Sequence, residues 1–191
     1  MIKIGITGGI ASGKSVVSSL LTMNGISIYT ADTESRRLSD NSPVIREKLI
    51  ALFGDDIYVS DRLDRNRLAS YIFSDGNVLK KVNKIIHPVV NKDFRTWVKQ
   101  QRGRICGIES AILFESKFDK MVDIVLLVYA PVELRLTRAM ERDGATESDI
   151  MKRMNRQIPD ELKRKHADFV IINDGVQALI PQIDRFLKLL P

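Results

Sequence analysis

An α/β fold on a mainly parallel five-stranded sheet is predicted for this chain by three observations. Five short runs, Ile2–Thr7, Ile26–Thr30, Ile105–Glu109, Ile124–Tyr129 and Phe169–Ile172, are nearly all apolar, as strands covered on both faces should be. Helical patterns lie between them, which is the rhythm of a parallel sheet. A glycine-rich loop sits at the first junction of strand and helix, where sheets of this kind bind phosphate.

The first strand, Ile2–Thr7, is rich in β-branched residues. Residues 8–15 then read Gly-Gly-Ile-Ala-Ser-Gly-Lys-Ser, which fits G-x-x-x-x-G-K-[ST] with Gly8, Gly13, Lys14 and Ser15 in the fixed slots. Val16, Val17, Leu20 and Leu21 follow at helical spacing, and Asn24-Gly25 offers a stop. Such a unit is an anion trap. Glycines let backbone N–H groups turn toward a polyphosphate, and the helix N-terminus adds unpaired N–H groups and a positive dipole end. Lys14 reaches the outer phosphates, and the Ser15 hydroxyl is the candidate ligand for Mg²⁺.

Asp32 follows the carboxyl end of the second strand, which in such a sheet faces the loop. Its carboxylate either accepts a proton from a hydroxyl nucleophile or caps the next helix. From about 32 to 101 the α/β rhythm stops. No convincing strand is present there, and Val44–Phe53, Leu63–Phe73 and Val78–Lys99 look helical, with Ser42-Pro43 opening the first. This stretch is expected to form a helical insertion that binds substrate. A second, basic stretch runs over about 138–159. Arg135, Arg138 and Arg142 are three and four apart, so one helix face can carry all three. The segment is either a solvated face or a mobile arginine lid, and the phosphate loop favours the lid.

Composition narrows the class. The 191 residues suit one domain, and 44% hydrophobic residues can build a core. Thirty basic against 24 acidic residues give a net charge of +6, which suits an anionic partner without choosing among nucleotide, nucleic acid and membrane. Cys106 is the only cysteine, so no internal disulfide forms, and a buried thiol is expected. No apolar run has membrane-spanning length, and the N-terminus enters a strand with no signal-peptide pattern. A soluble cytoplasmic protein is expected. No nucleic-acid module and no aromatic interleaving in the basic segments is found, which argues against nucleic acid.

An ordered series of motifs carries a family resemblance over nearly the whole chain. It comprises Gly5–Ser15, Ala31-Asp32 with Arg36, Phe53-Gly54, Leu63-Asp64-Arg65, Ile86-His87-Pro88 and Leu113-Phe114-Glu115. It continues through Arg135–Asp143, Arg153-Met154 with Gln157, and Ala167–Ile171 with Asn173 and Gly175. In this series the chain resembles the dephospho-coenzyme A kinases. The resemblance implies a three-layer P-loop NTPase fold like that of nucleoside monophosphate kinases, with a helical substrate-binding insertion and a lid. It implies transfer of the ATP γ-phosphoryl group to the ribose 3′-hydroxyl of dephospho-coenzyme A, with Mg²⁺. Asp32 falls at the position taken as the base, beside Lys14, Arg138 and Arg142 as catalytic residues. Gly8, Gly9, Ile10, Ala11, Ser12, Gly13, Lys14, Ser15, Val16 and Asn173 are expected to bind ATP. Asp32, Arg65, His87 and Glu115 are the candidates for substrate binding, although Arg65 and Glu115 equally suit ordinary ion pairs and His87 a positioning role.

The chain departs from the family pattern at four places. Thr30 stands where an aspartate is common, which puts a metal role there in doubt. Ala11 replaces a frequent glycine, Ala111 a common proline, and Arg62 a usual glycine ahead of Leu63-Asp64-Arg65. A kinase for another small acceptor and a nucleotide-dependent switch or ATPase are the competing classes.

Overall fold

Every strand of the central sheet runs parallel to its neighbours in the computed structural model, which describes residues 1–74 and 76–190. The chain divides into two compact units, Met1–Thr30 with Gln101–Pro191, and Ala31–Gln100.

The first unit holds β1 (Ile2–Thr7), β2 (Ser27–Thr30), β5 (Ile105–Glu109), β6 (Ile124–Tyr129) and β7 (Phe169–Ile172), in the order β2-β5-β1-β6-β7. These are the five runs expected from the sequence, with β2 one residue shorter. β1 lies at the centre, pairing Ile4 with Gly107 on one side and with Ile124 on the other. On one face Ile4, Ile6, Leu126, Val128 and Ile171 pack with Val17 and Leu21 of α1 (Lys14–Met23) and Ile183 and Phe186 of α9 (Leu179–Lys188). On the other, Gly5 abuts Leu113 and Val122. Each fully buried side chain of this size contributes about 1.5–3 kcal/mol, so β1 and the loop that leaves it are firmly seated. Three further helices, α6 (Val132–Asp143), α7 (Glu147–Met154) and α8 (Asp160–Arg164), belong to the same unit. Ala139 of α6 and Ile150 and Met154 of α7 form a small core of their own. Cys106 is buried, as expected, and burial pushes its thiol pKa up.

The second unit contains α2 (Ala31–Asn41), α3 (Pro43–Phe53), α4 (Arg65–Ser74) and α5 (Gly76–Gln100). Ser42 caps α3 and Pro43 opens it, the pair read from the sequence. One reading is corrected. The stretch is not wholly helical: Tyr58–Val59 (β3) and Arg62–Leu63 (β4) pair as an antiparallel ribbon, so Leu63 lies in a strand and not in a helix. The turn is Ser60-Asp61, both at positive φ (48° and 62°), a conformation hairpins need and usually meet with glycine. Arg62 therefore needs no glycine: the left-handed residues are the two before it. Asp64 then caps α4, accepting the N–H groups of Asn66 and Arg67 at 3.1 and 3.0 Å.

Candidate active site

The loop between β1 and α1 is held in one shape by its own backbone and by neighbours. Gly13 takes φ 93°, and a side chain there would collide with the Asn173 amide. Only glycine meets both demands. The N–H groups of Val16 and Val17 return to the Gly13 carbonyl at 3.1 and 3.2 Å, so the first turn of α1 closes directly behind the loop. Ser12 N–H and Lys14 Nζ both donate to the Gly9 carbonyl, at 3.2 and 3.1 Å. Lys14 is buried, so its ammonium is fixed within the loop's curve. The Ser12 hydroxyl is buried with no hydrogen-bond partner among the described residues. Ala11 takes the left-handed conformation that suits the family's glycine (φ 59°), while its methyl packs on the Ala139–Ile150–Met154 cluster beside Ile10. Val16 is half exposed on α1.

Four of the residues singled out in the sequence meet at one edge of this loop. Asn173 follows β7, and its N–H donates to the Tyr129 carbonyl at 2.8 Å. Its side-chain amide donates to the Ser12 carbonyl at 2.8 Å and lies against Gly13. The Arg138 guanidinium donates to the Asn173 carbonyl at 3.1 Å. Arg142 goes elsewhere: its fork holds Asp143 at 2.7 and 3.2 Å, and Arg153 joins the same carboxylate at 2.6 Å. Those hydrogen bonds, from Arg142 first and then Arg153, keep the Asp143 carboxyl far below the usual carboxylate range. Arg135 is different again. It is buried and donates to the Ala130 carbonyl at 3.1 Å. The three arginines of one face thus have three separate partners.

On the other side of the loop, Ser15, Thr30 and Glu109 line a cleft of about 370 Å³ together with Ser18, Ser19, Thr22 and Ile28. Thr30 and Glu109 face each other across the β2–β5 register. Among the described residues no group of three His, Cys, Asp or Glu side chains is placed to hold a metal ion. Hydroxyls with a single carboxylate suit a cation that takes most of its ligands from phosphate and water, which is the habit of Mg²⁺.

Two of the remaining candidates, Glu115 and Arg65, are held by ordinary partners. Glu115 accepts the Ile158 N–H at 2.8 Å and lies 3.8 Å from Lys163 Nζ. Arg65 donates to Asp40 at 2.9 Å and to the Arg36 carbonyl at 3.1 Å, both within the second unit. Asp32 lies in the first turn of α2. His87 lies on α5, where burial pushes its pKa down and leaves the ring neutral near pH 7. Sequence reasoning gave no role to Asp160 or Lys163, placed Gln157 only in the motif series, and put Arg135 on the arginine face of the basic segment; the structure gathers all four at the front of the loop. Gly9 N–H donates to Asp160 at 3.2 Å and Ile10 N–H to Gln157 at 3.0 Å. Their signal in the sequence is faint, because charged residues in a basic stretch read as solvated.

Comparison with known proteins agrees with this geometry. The sequence signature described as dephospho-CoA kinase matches residues 2–178. A dephospho-CoA kinase from Bacteroides fragilis is 49% identical over 183 residues, covering 95% of this chain and 89% of its own. A crystal structure of a Thermus thermophilus protein superposes with a TM-score of 0.84 at 35% identity, covering 98% of this chain and 94% of that one. The dephospho-CoA kinase of Campylobacter jejuni shares the fold, with a TM-score of 0.68 at 24% identity and coverage of 97% and 94%. With a phosphate loop of this shape and a match that spans nearly its whole length, the chain belongs to the dephospho-CoA kinase family.

Proposed function

We propose that this protein transfers the γ-phosphoryl group of ATP to the ribose 3′-hydroxyl of dephospho-coenzyme A, giving coenzyme A and ADP. The observation that carries the proposal is the loop from Gly8 to Ser15, with Lys14 fixed on the Gly9 carbonyl, in a chain whose relatives bear this name. Phosphoryl transfer asks mainly for positioning and for positive charge where negative charge develops. Lys14 and the first turn of α1 supply that charge on one side, and Arg138, anchored at Asn173, supplies it on the other. Asp32 accepts or orients the proton of the attacking hydroxyl. Arg65, His87 and Glu115 are the further candidates for binding the acceptor. Mg²⁺ supplies charge neutralisation on the phosphates when bound; Ser15 would ligate it, and Glu109 with Thr30 would hold its water. The basic segment over 138–159 acts as a lid over the nucleotide. The reaction takes place in the cytoplasm, where ATP is made available; among the described residues no helix is long and apolar enough to cross a membrane.

A coupled ADP-release assay with dephospho-coenzyme A, AMP, CMP and shikimate tests the proposal. Turnover with the first alone is the expected result. Turnover with another acceptor, or ADP release that needs no acceptor, would replace it with one of the competing classes.

A further inference from the structure

Gly9 is gripped through both of its backbone polar groups. Its carbonyl accepts Lys14 Nζ and Ser12 N–H, and its N–H donates to Asp160 Oδ2 at 3.2 Å. The next N–H, of Ile10, goes to Gln157 Oε1 at 3.0 Å. The front half of the phosphate loop is therefore tied to a segment some 150 residues away. Gly9 leaves no room for a side chain, because the Arg135 guanidinium occupies that space.

An anion at this place is a puzzle. A carboxylate touching a phosphate-binding loop repels the nucleotide it is meant to admit, and in a buried setting that repulsion is weakly screened. The structure contains the remedy. Arg135 NH1 lies 3.6 Å from Asp160 Oδ2, and Lys163 Nζ lies 3.9 Å from Asp160 Oδ1. Lys163 also donates to the Ala111 carbonyl at 3.0 Å and lies 3.8 Å from Glu115. Two cations and two carboxylates thus balance. Asp160 is 1% and Lys163 0% exposed at the side chain, so the cancellation is local and not left to solvent. Asp160 Oδ1 makes no hydrogen bond among the described residues; only Oδ2 has a directed partner, and that partner is the loop. A buried ion cluster is a poor stabiliser compared with apolar packing of the same volume. Its use here makes sense as a means of holding one peptide group with a charged acceptor, which binds an N–H more strongly than a neutral one.

We propose that Asp160 is a positioning residue of the phosphate loop, acting through Gly9 on the Lys14 ammonium, and that Arg135 and Lys163 cancel its charge so that nucleotide phosphates are admitted. The inference rests on the nucleotide-binding half of the proposed function and not on the acceptor, so MgADP is the probe.

Calorimetric titration with MgADP, alongside kinetics with ATP, separates the roles. Asp160→Ala loses the acceptor and is expected to weaken MgADP binding about tenfold or more, with a matching rise in KM for ATP and little change in KM for dephospho-coenzyme A. Asp160→Asn keeps an acceptor oxygen and recovers most of that loss. Arg135→Met leaves Asp160 under-compensated and weakens MgADP binding, and adding Asp160→Asn to it restores affinity. That reversal is a sign that lost packing alone would not give, and it remains readable if the alanine variant fails to fold. The inference is overturned if Asp160→Ala binds MgADP like the unaltered protein, if Asn and Ala lose affinity equally, or if the double variant is no better than Arg135→Met. Failure of the unaltered protein to bind MgADP would overturn the kinase reading as well.

Discussion

The side-chain amide of Asn173 donates to the carbonyl oxygen of Ser12 at 2.8 Å. This bond ties the end of β7 to the phosphate loop, and it sits where Gly13 has no side chain to obstruct it. Asn173 also receives Arg138 on its carbonyl, so loop, strand end and arginine share one residue. Asn173→Ala is expected to lower kcat/KM for ATP by about tenfold, the cost of one unsatisfied, partly buried polar contact. Steady-state kinetics with varied ATP measure it. An unchanged value would leave Asn173 as no more than the residue after a strand.

Arg138 and Arg142 separate by partner, although they share a helix face. Arg138 reaches the residue that braces the loop, while Arg142 forks onto Asp143. Arg138→Lys should therefore lower kcat by at least about tenfold even with its charge kept, because lysine lacks the planar fork. Arg142→Lys should cost less. Equal turnover in both lysine variants and in the double alanine variant would return the segment to a solvated face.

Asp32→Asn keeps the shape of the side chain and removes its ability to take a proton. General-base contributions are ~10²–10⁴-fold. The expected result is a fall of that order in kcat with MgADP affinity nearly intact. A variant with half the original kcat would make Asp32 a residue of the first turn of α2 and nothing more.

Asp143 gives a pH signature. Its carboxyl is held below the ordinary range by Arg142 and Arg153. A depressed carboxyl contributes stability that is full above the unfolded value, about 3.9, and shrinks as the pH falls below it toward the folded one. The difference in unfolding free energy between the unaltered protein and Asp143→Asn should therefore be larger at pH 7 than at pH 3. Both arginines are about half exposed, so the difference should be modest. No change between the two pH values would show that the trio contributes nothing to the fold.

What was legible in the sequence follows from what is local. The five strands are continuous apolar runs, and the loop is a motif whose glycines and lysine act within eight residues. The β3–β4 ribbon was missed because Ser60-Asp61 takes left-handed backbone without glycine, so no turn signal marks it. The pairing of Arg135 with Asp160 was not legible for a different reason. They are 25 residues apart within a charged stretch, and only the tertiary fold reveals that they are buried against Gly9. The three arginines shared a face as expected, but helical spacing says nothing of which carboxylate or carbonyl each will meet.

The most direct test is the identity of the product. The protein is incubated with MgATP and dephospho-coenzyme A, and the product is examined by mass and by phosphorus–proton coupling in NMR, with Lys14→Ala as the comparison. Gain of one phosphate, coupled to the ribose 3′ proton and nearly absent with a folded Lys14→Ala variant, is the expected result. ATP consumed without a phosphorylated acceptor, a phosphate at another position, or near-normal product from Lys14→Ala would contradict the account.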